Sequence, residues 1–209
     1  MLKQRQNKFI LGITGNIACG KSTVAKMFRT EDCLLIDADI YAHRLLTQNK
    51  GIYKKIKEAF GIKILKRNNC IDQKKLAKIV FTDKLALLKL NSIMHPLLIS
   101  EIKRQIKNSN KKIIILDAAL IIEAGLKKMV DKLVVVRARK DQQISRKIKN
   151  RMFKKEDVSM RMKSQISQKK KLRFADFIID NSGSISQTRK QVFEIKKTLV
   201  RFTQMGFSR

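Results

Sequence analysis

A glycine-rich octapeptide near the start of the chain has the residue types and spacing of a phosphate-binding loop. Its sequence, Gly15-Asn16-Ile17-Ala18-Cys19-Gly20-Lys21-Ser22, matches G-x-x-x-x-G-K-[ST] at every fixed position. Glycines let such a loop bend so that successive N–H groups point at phosphate oxygens, and the helix after it presents its positive end. We expect this loop and Thr23 after it to bind a nucleotide triphosphate. Lys21 would reach the β- and γ-phosphates and the Ser22 hydroxyl would ligate Mg²⁺.

Three aspartates follow two apolar segments further along the chain. Asp37 and Asp39 come after residues 33–36, and Asp117 comes after residues 113–116. In an extended segment Asp37 and Asp39 point the same way, so one can orient or accept a hydroxyl proton and either can hold Mg²⁺ through water. Asp117 resembles the strand-end acid that holds the metal in phosphate-loop enzymes. The alternatives are a turn or helix cap for the pair and an ion pair for Asp117.

Four further charged residues are candidates for substrate contact or catalysis. His95 precedes the chain's only proline, where it either has a structural role or contacts substrate. Glu123 either fixes a lid arginine or the acceptor, or forms an ordinary ion pair. Arg146 and Arg151 lie in a basic helical stretch, residues 137–173. They either close over the transferring phosphoryl group or belong to a solvated basic face.

Short apolar segments alternate with longer segments of helical apolar spacing. This order is typical of an α/β protein with a parallel five-stranded sheet covered by helices on both faces. Such sheets bind ligands at the carboxyl ends of their strands, where the loop and the aspartates fall. The predicted strands are residues 8–13, 33–36, 113–116, 133–136 and 177–179, and the predicted helices are 22–29, 53–60, 74–81, 85–106 and 141–171.

The composition is that of a single soluble domain in the cytoplasm. The 209 residues are 44% hydrophobic and 31% charged, and no run of 18 apolar residues appears, so no membrane span is expected. The three cysteines have no metal-like spacing and are expected to be free thiols. Because Cys19 lies inside the phosphate loop, we expect its modification to block ATP binding. Nothing in the sequence specifies an oligomeric state.

The net charge of +31, from 48 Lys and Arg against 17 Asp and Glu, has two explanations. It either binds nucleic acid by counterion release, or reflects compositional drift together with attraction for anionic substrates. The positive residues are spread along the chain, and aromatic residues make up only 6% with no stacking motif. Nucleic acid is therefore not expected as a partner.

Several motifs keep the order and spacing of one enzyme family over residues 9 to about 184. They are Gly12-Ile13-Thr14-Gly15, Gly20-Lys21-Ser22-Thr23-Val24, Ile36-Asp37-Ala38-Asp39, His95-Pro96, Asp117-Ala118-Ala119-Leu120-Ile121-Ile122-Glu123, Arg161, Gln165, Lys171, Ala175-Asp176 and Ile179-Asp180-Asn181 with Gly183. Together they resemble the dephospho-CoA kinase family. The resemblance implies a P-loop NTPase fold and ATP- and Mg²⁺-dependent phosphorylation of the ribose 3′-hydroxyl of dephospho-CoA.

The resemblance also implies a division of labour along the chain. It implies a nucleotide-binding core (8–39, 110–140 and 174–209), a helical acceptor-binding insert (about 40–100) and a lid (about 140–173). The implied roles are Asp39 as base, Asp37 for metal and acceptor, Ser22 and Asp117 for metal, His95 and Glu123 for acceptor, Arg146 or Arg151 for the phosphates, and Asn181 and Gly183 near the adenine.

The chain departs from the family pattern at several positions. Asn16, Ala18 and Cys19 replace the commoner Gly, Gly and Ser or Thr of the loop, although their backbone N–H groups remain. Arg146 and Arg151 are five apart, where the family's pair is usually four apart. The alternatives are another small P-loop kinase acting on a nucleotide or nucleoside, and a nucleic-acid-binding ATPase.

Overall fold

A five-stranded parallel sheet forms the centre of the protein. The computed structural model describes residues 8–149 and 154–204, and the strands found there pair in the order β2-β3-β1-β4-β5. The predicted α/β fold with a parallel five-stranded sheet is confirmed. The strands are β1 (Phe9–Gly15), β2 (Cys33–Asp37), β3 (Ile113–Asp117), β4 (Lys132–Arg137) and β5 (Phe177–Asp180).

The register of the strands brings the predicted site residues to one edge of the sheet. Asp117 lies opposite Ile13 of β1 on one side and opposite Asp37 of β2 on the other. Every residue of β1 is buried, as expected for the central strand of a sheet covered on both faces. The carboxyl ends of β1, β2 and β3 therefore meet where the phosphate loop begins.

Helices connect the strands, and their bounds correct two predictions. Among the described residues, the stretch predicted as helical over 141–171 contains three shorter helices, and two helices, 38–48 and 185–204, were not predicted. The helices are α1 (Lys21–Phe28), α2 (Ala38–Gln48), α3 (Lys50–Phe60), α4 (Gln73–Thr82), α5 (Lys84–Asn108), α6 (Lys140–Lys149), α7 (Lys155–Ser164), α8 (Gln168–Leu172) and α9 (Ile185–Gln204).

Three hydrophobic clusters hold these elements together. The first packs α1 and α9 on one face of the sheet, and the second packs α2 and α5 on the other, which gives three layers. The third joins α3, α4 and α5 to each other away from the sheet. Because α5 contributes to the second and third clusters, it connects the sheet to the helices that follow β2 in the chain.

Helix α5 is long and apolar enough to cross a bilayer by length and composition alone, with a mean hydropathy of 1.3 in its most apolar window. Its Met94, Leu98 and Ile102 are buried in the second and third clusters. Core helices of soluble proteins have the same composition, so this property is weak evidence for a membrane segment.

Candidate active site

The phosphate loop runs from the end of β1 to the start of α1, and two of its glycines are required by close approach. A Cβ on Gly15 would lie 2.4 Å from the Val136 carbonyl oxygen. Gly20 has a φ of 93°, and a Cβ there would lie 2.0 Å from Asn181 Nδ2. The fixed positions of the motif are thus explained by backbone packing against β4 and the segment after β5.

Ala18 adopts the left-handed backbone conformation, with a φ of 59°. This conformation costs a non-glycine residue on the order of 1 kcal/mol. We expect Ala18→Gly to raise the free energy of unfolding by about 0.5–1 kcal/mol in urea titrations, because relief of strain exceeds the added entropy of the unfolded chain. ATP affinity should be retained.

Asn69 provides a matched control because its φ is also 59°. Asparagine tolerates this conformation far better than alanine, so Asn69→Gly should gain less stability than Ala18→Gly. Equal effects of the two substitutions would show that the Ala18 backbone is not strained.

Cys19 lies beneath the loop, with its thiol buried away from the surface that would face the phosphates; the expected block of ATP binding by its modification stays a prediction. The side chain is fully buried in the first hydrophobic cluster with Val24 and Val136. A Cβ on Gly15 would lie only 2.4 Å from the Cys19 sulfur. Burial raises the pKa of the thiol to about 11, against the opposing effects of the Lys21 backbone N–H and ammonium. Cys19 can serve the nucleotide only through its backbone.

The buried thiol should react slowly with alkylating reagents. At pH 8 a pKa of about 11 leaves on the order of one thiol in a thousand as the reactive thiolate. We expect iodoacetamide to modify exposed Cys70 at least a hundredfold faster than Cys19 in the native protein, measured by peptide mass spectrometry. The two rates should converge in denaturant. Rapid native labelling of Cys19 would contradict its placement.

Lys21 joins the loop to two of the three predicted aspartates. Its ammonium lies 2.6 Å from Asp39 Oδ2 and 3.3 Å from Asp117 Oδ1. Burial acts to lower the pKa of Lys21, but the two carboxylates outweigh it and raise that pKa above its ordinary value. Lys21 is therefore charged. Lys21, Asp39 and Asp117, which were predicted from separate motifs, lie together.

Asp37 and Asp39 do not share one face of an extended strand, so that part of the prediction is wrong. Asp37 ends β2 and caps α2, with its Oδ1 accepting the Ile40 N–H at 3.0 Å. Asp39 lies in the first turn of α2, with its side chain 53% exposed. The helix cap was one of the alternatives for this pair, and it is the one that Asp37 adopts.

The atoms suited to a magnesium ion lie around Asp117. Burial raises the pKa of Asp117, while Lys21 and the nearby Ser22 hydroxyl oppose the rise. Asp37 faces Asp117 across the β2–β3 pair. No cluster of three or more His, Cys, Asp or Glu side chains suited to a metal occurs within residues 8–149 and 154–204. Hydroxyl and carboxylate oxygens without an all-protein cage fit Mg²⁺, which keeps waters and nucleotide oxygens in its shell.

Arg146 and Asn181 hold the far side of the loop. The Arg146 guanidinium donates to the Asn181 carbonyl at 2.8 Å and to the Cys19 carbonyl at 3.5 Å. The Asn181 amide donates to the same Cys19 carbonyl at 2.8 Å and accepts from the Thr188 hydroxyl at 2.9 Å. A Cβ on Gly183 would lie 2.1 Å from Gln187 Oε1. Arg151 lies outside the described residues.

Two basic side chains that were not among the predicted site residues also lie near the site. Burial, with Arg161 and Lys21 nearby, lowers the pKa of Lys147, while Asp39 opposes the change. The Arg161 guanidinium stacks 4.7 Å from the centre of the Phe81 ring, so α7 contacts α4. Arg161 keeps the spacing of the family resemblance, whereas no pattern singles out Lys147 in a sequence this rich in lysine and arginine, and only the fold shows that it lies near Asp39.

His95 and Glu123 lie close to each other. His95 is half-buried on α5, where burial lowers its pKa and favours the neutral imidazole, with Glu123 opposing the change. Glu123 Oε1 lies 3.0 Å from Lys171 Nζ and accepts the Ile166 N–H at 3.1 Å. Glu123 therefore makes the ion pair that was one of its alternatives, with a lysine of α8.

The chain is similar to several known proteins over most of its length. A family model described as dephospho-CoA kinase matches residues 9–187. The dephospho-CoA kinase of Aquifex aeolicus is 43% identical over 196 residues, 91% of this chain and 97% of that protein. The structure of dephospho-CoA kinase from Campylobacter jejuni, 30% identical, covers 94% of this chain and 98% of its own with a TM-score of 0.63. A crystal structure from Thermus thermophilus, 25% identical, has a TM-score of 0.76 and covers 93% of this chain and 97% of its own. The chain belongs to the dephospho-CoA kinase family.

Proposed function

We propose that this chain transfers the γ-phosphoryl group of ATP to the ribose 3′-hydroxyl of dephospho-CoA, giving CoA and ADP. Membership of the dephospho-CoA kinase family supplies the reaction, which is the last step of CoA biosynthesis. The observation that carries the residue assignments is the contact of Lys21 with both Asp39 and Asp117 at the mouth of the phosphate loop. Because this contact brings Lys21, Asp39 and Asp117 together, it supports their assignment as the phosphate-binding cation, the base and the metal-site carboxylate.

ATP would bind with its phosphates in the loop of residues 15–23. The first N–H groups of α1 have no partners within the helix and point at the anion, and Lys21 supplies a positive charge. Arg146 donates to the Cys19 carbonyl at the other side of the loop, which supports its assignment to the phosphates. The turn of Asn181 and Gly183 follows β5 beside the same carbonyl, which supports its assignment to the adenine.

Ser22, Asp117 and Asp37 would hold Mg²⁺ together with the nucleotide. The metal would neutralise charge on the β- and γ-phosphates. Asp117 is almost fully buried, whereas the Ser22 hydroxyl lies at the start of α1. The two residues would thus contact the ion from the sheet and from the loop, with Asp37 reaching it through water.

Asp39 would orient the 3′-hydroxyl and accept its proton. Its carboxylate is half-exposed in the first turn of α2, where an acceptor can reach it, and Lys21 fixes one of its oxygens. Asp37 and His95 would border the acceptor, with the third hydrophobic cluster supporting the insert of residues 40–100. A lid at 140–173 and a cytoplasmic location, where ATP is available, complete the proposal.

An acceptor screen tests this function. With purified protein, ATP and Mg²⁺, ADP release is expected with dephospho-CoA, and the product should have the mass of CoA. AMP, CMP and shikimate should give only background release. Phosphorylation of a nucleoside monophosphate but not of dephospho-CoA would contradict the proposal. ATP hydrolysis that depends on added RNA or DNA would favour the nucleic-acid-binding ATPase.

A further inference from the structure

The segment between α7 and α8, residues 165–167, contacts the phosphate loop directly, and we call this segment the lid root. Gln165 Oε1 accepts the backbone N–H of Ile17 at 3.0 Å. The Asn16 side-chain amide donates to the Ile166 carbonyl at 3.1 Å. One contact thus holds the loop by its backbone and the other by a side chain that stands where the family commonly has glycine.

The lid root is in turn held by a buried ion pair. Glu123 Oε1 accepts the Ile166 N–H at 3.1 Å and lies 3.0 Å from Lys171 Nζ. Lys171 is fully buried, and its ammonium also donates to the Ala119 carbonyl at 2.7 Å. That carbonyl also accepts from a second donor, the Thr14 hydroxyl of β1, at 3.1 Å. The lid root, the end of β3 and the end of β1 therefore share one polar network.

The burial of this network makes its geometry specific. An ammonium taken out of water is costly unless a carboxylate and further acceptors surround it. Lys171 meets that condition only while Glu123 and Ala119 keep their present positions, and Glu123 also fixes the backbone at Ile166. A shift of the lid root would break contacts to a buried charge, so Gln165 is held against the loop.

We propose that Gln165 is a positioning residue for ATP, which holds the phosphate loop in its binding shape through the Ile17 N–H, and that the Lys171–Glu123 pair keeps Gln165 in place. The inference rests on the proposed function only in assigning ATP to this loop. A loop that is already shaped loses less entropy when the phosphates bind. Loss of the contact should therefore weaken the binding of ATP and leave the binding of the acceptor unaffected.

Gln165→Ala tests the first half of the proposal. Loss of one hydrogen bond should raise the ATP Kd and the ATP KM by about tenfold. The KM for dephospho-CoA should stay within about twofold, and the melting temperature should change little because Gln165 is only half-buried. Hydrogen exchange at the Ile17 amide, followed by NMR in the nucleotide-free protein, should become faster.

Gln168→Ala is the matched control. Gln168 is a half-buried glutamine in the next helix whose Oε1 accepts from Ala138 N at 3.4 Å and Gln143 Nε2 at 3.3 Å, away from the loop. It should leave the ATP Kd and Ile17 exchange unchanged. Unchanged ATP Kd and exchange in Gln165→Ala would overturn the proposal, as would an equal loss of affinity for both substrates.

Lys171→Met tests the second half. We expect a lower melting temperature and, as in Gln165→Ala, a higher ATP Kd. The KM for dephospho-CoA should be unchanged. A folded Lys171→Met protein with normal ATP affinity would show that the pair does not position the lid root. Because ATP Kd and amide exchange need no acceptor, these results stay interpretable even if dephospho-CoA proves not to be the substrate.

Discussion

Asp39→Asn is expected to lower kcat by about a thousandfold, while the KM for ATP changes by only a few-fold. A positioned general base contributes on the order of 10²–10⁴ to the rate. The amide keeps the size of the side chain but cannot accept the hydroxyl proton. ATP binding should persist because Lys21 keeps its ion pair with Asp117, at 3.3 Å, and the loop backbone is unchanged. Steady-state kinetics with each substrate varied in turn gives both parameters.

Asp83→Asn is the control for this loss of charge. Asp83 is an exposed aspartate that caps α5 by accepting the Leu85 N–H at 2.8 Å, and asparagine caps equally well. It should keep normal kcat and normal KM for both substrates. Near-normal turnover in Asp39→Asn would remove Asp39 as the base, and a large rise in the ATP KM would make it a nucleotide-binding residue.

Lys21→Ala should reduce phosphoryl transfer by at least three orders of magnitude. The ammonium is the cation that the loop offers to the β- and γ-phosphates, and electrostatic groups at the transferring phosphoryl are among the largest contributors to catalysis. Lys26→Ala, an exposed lysine of the same helix, should be active. A Lys21→Ala protein with more than a tenth of normal kcat would contradict the assignment.

Loss of Lys21 should also change how stability depends on pH. Burial already raises the pKa of Asp117, and Lys21 is the first of the groups that oppose the rise. Without it the folded-state pKa should rise further above the unfolded value near 4. The free energy of unfolding of Lys21→Ala should then fall as pH increases through this range, more steeply than in the wild type, because the folded state retains a proton that the unfolded chain releases.

The strands and the phosphate loop were predictable because their determinants are local. Each strand is a short apolar run, and in β3 the predicted residues 113–116 differ from the observed bounds by one residue. In the loop motif, close packing requires the glycines and phosphate binding requires the lysine. The two requirements coincide in a phosphate-binding loop, which makes the motif easy to recognise. The meeting of Lys21, Asp39 and Asp117 was expected from strand-end positions, since parallel strands end at the same edge of a sheet.

The helices around the site were harder to predict because their ends depend on side-chain capping. Asp37 accepts the Ile40 N–H in the first turn of α2, so the chain becomes helical immediately after β2 and does not stay extended through Asp39. At the start of α8, Ser167 accepts the Lys170 N–H at 3.3 Å and starts a new helix within a stretch of helical composition. Such choices depend on a few local hydrogen bonds that apolar spacing does not reveal.

The contacts between distant segments could not be predicted from the sequence at all. Glu123 and Lys171 are each one of many charged residues, and only the fold shows that they meet in the interior. The same holds for Gln165 and the Ile17 amide, since the spacing that Gln165 shares with the family does not indicate which group it contacts. Composition likewise does not separate Lys147 from its neighbouring basic residues.

Segments that come much later in the chain form hydrogen bonds with the phosphate loop on both sides. Gln165 and Ile166 lie on one side and Asn181 lies on the other. During synthesis on the ribosome, the nascent chain therefore carries this loop long before anything can shape it. Central strand β1 likewise has no strands to pair with until β3 and β4 have been synthesised. An amino-terminal fragment released early should not capture ATP, so nucleotide binding reports on completion of the whole polypeptide.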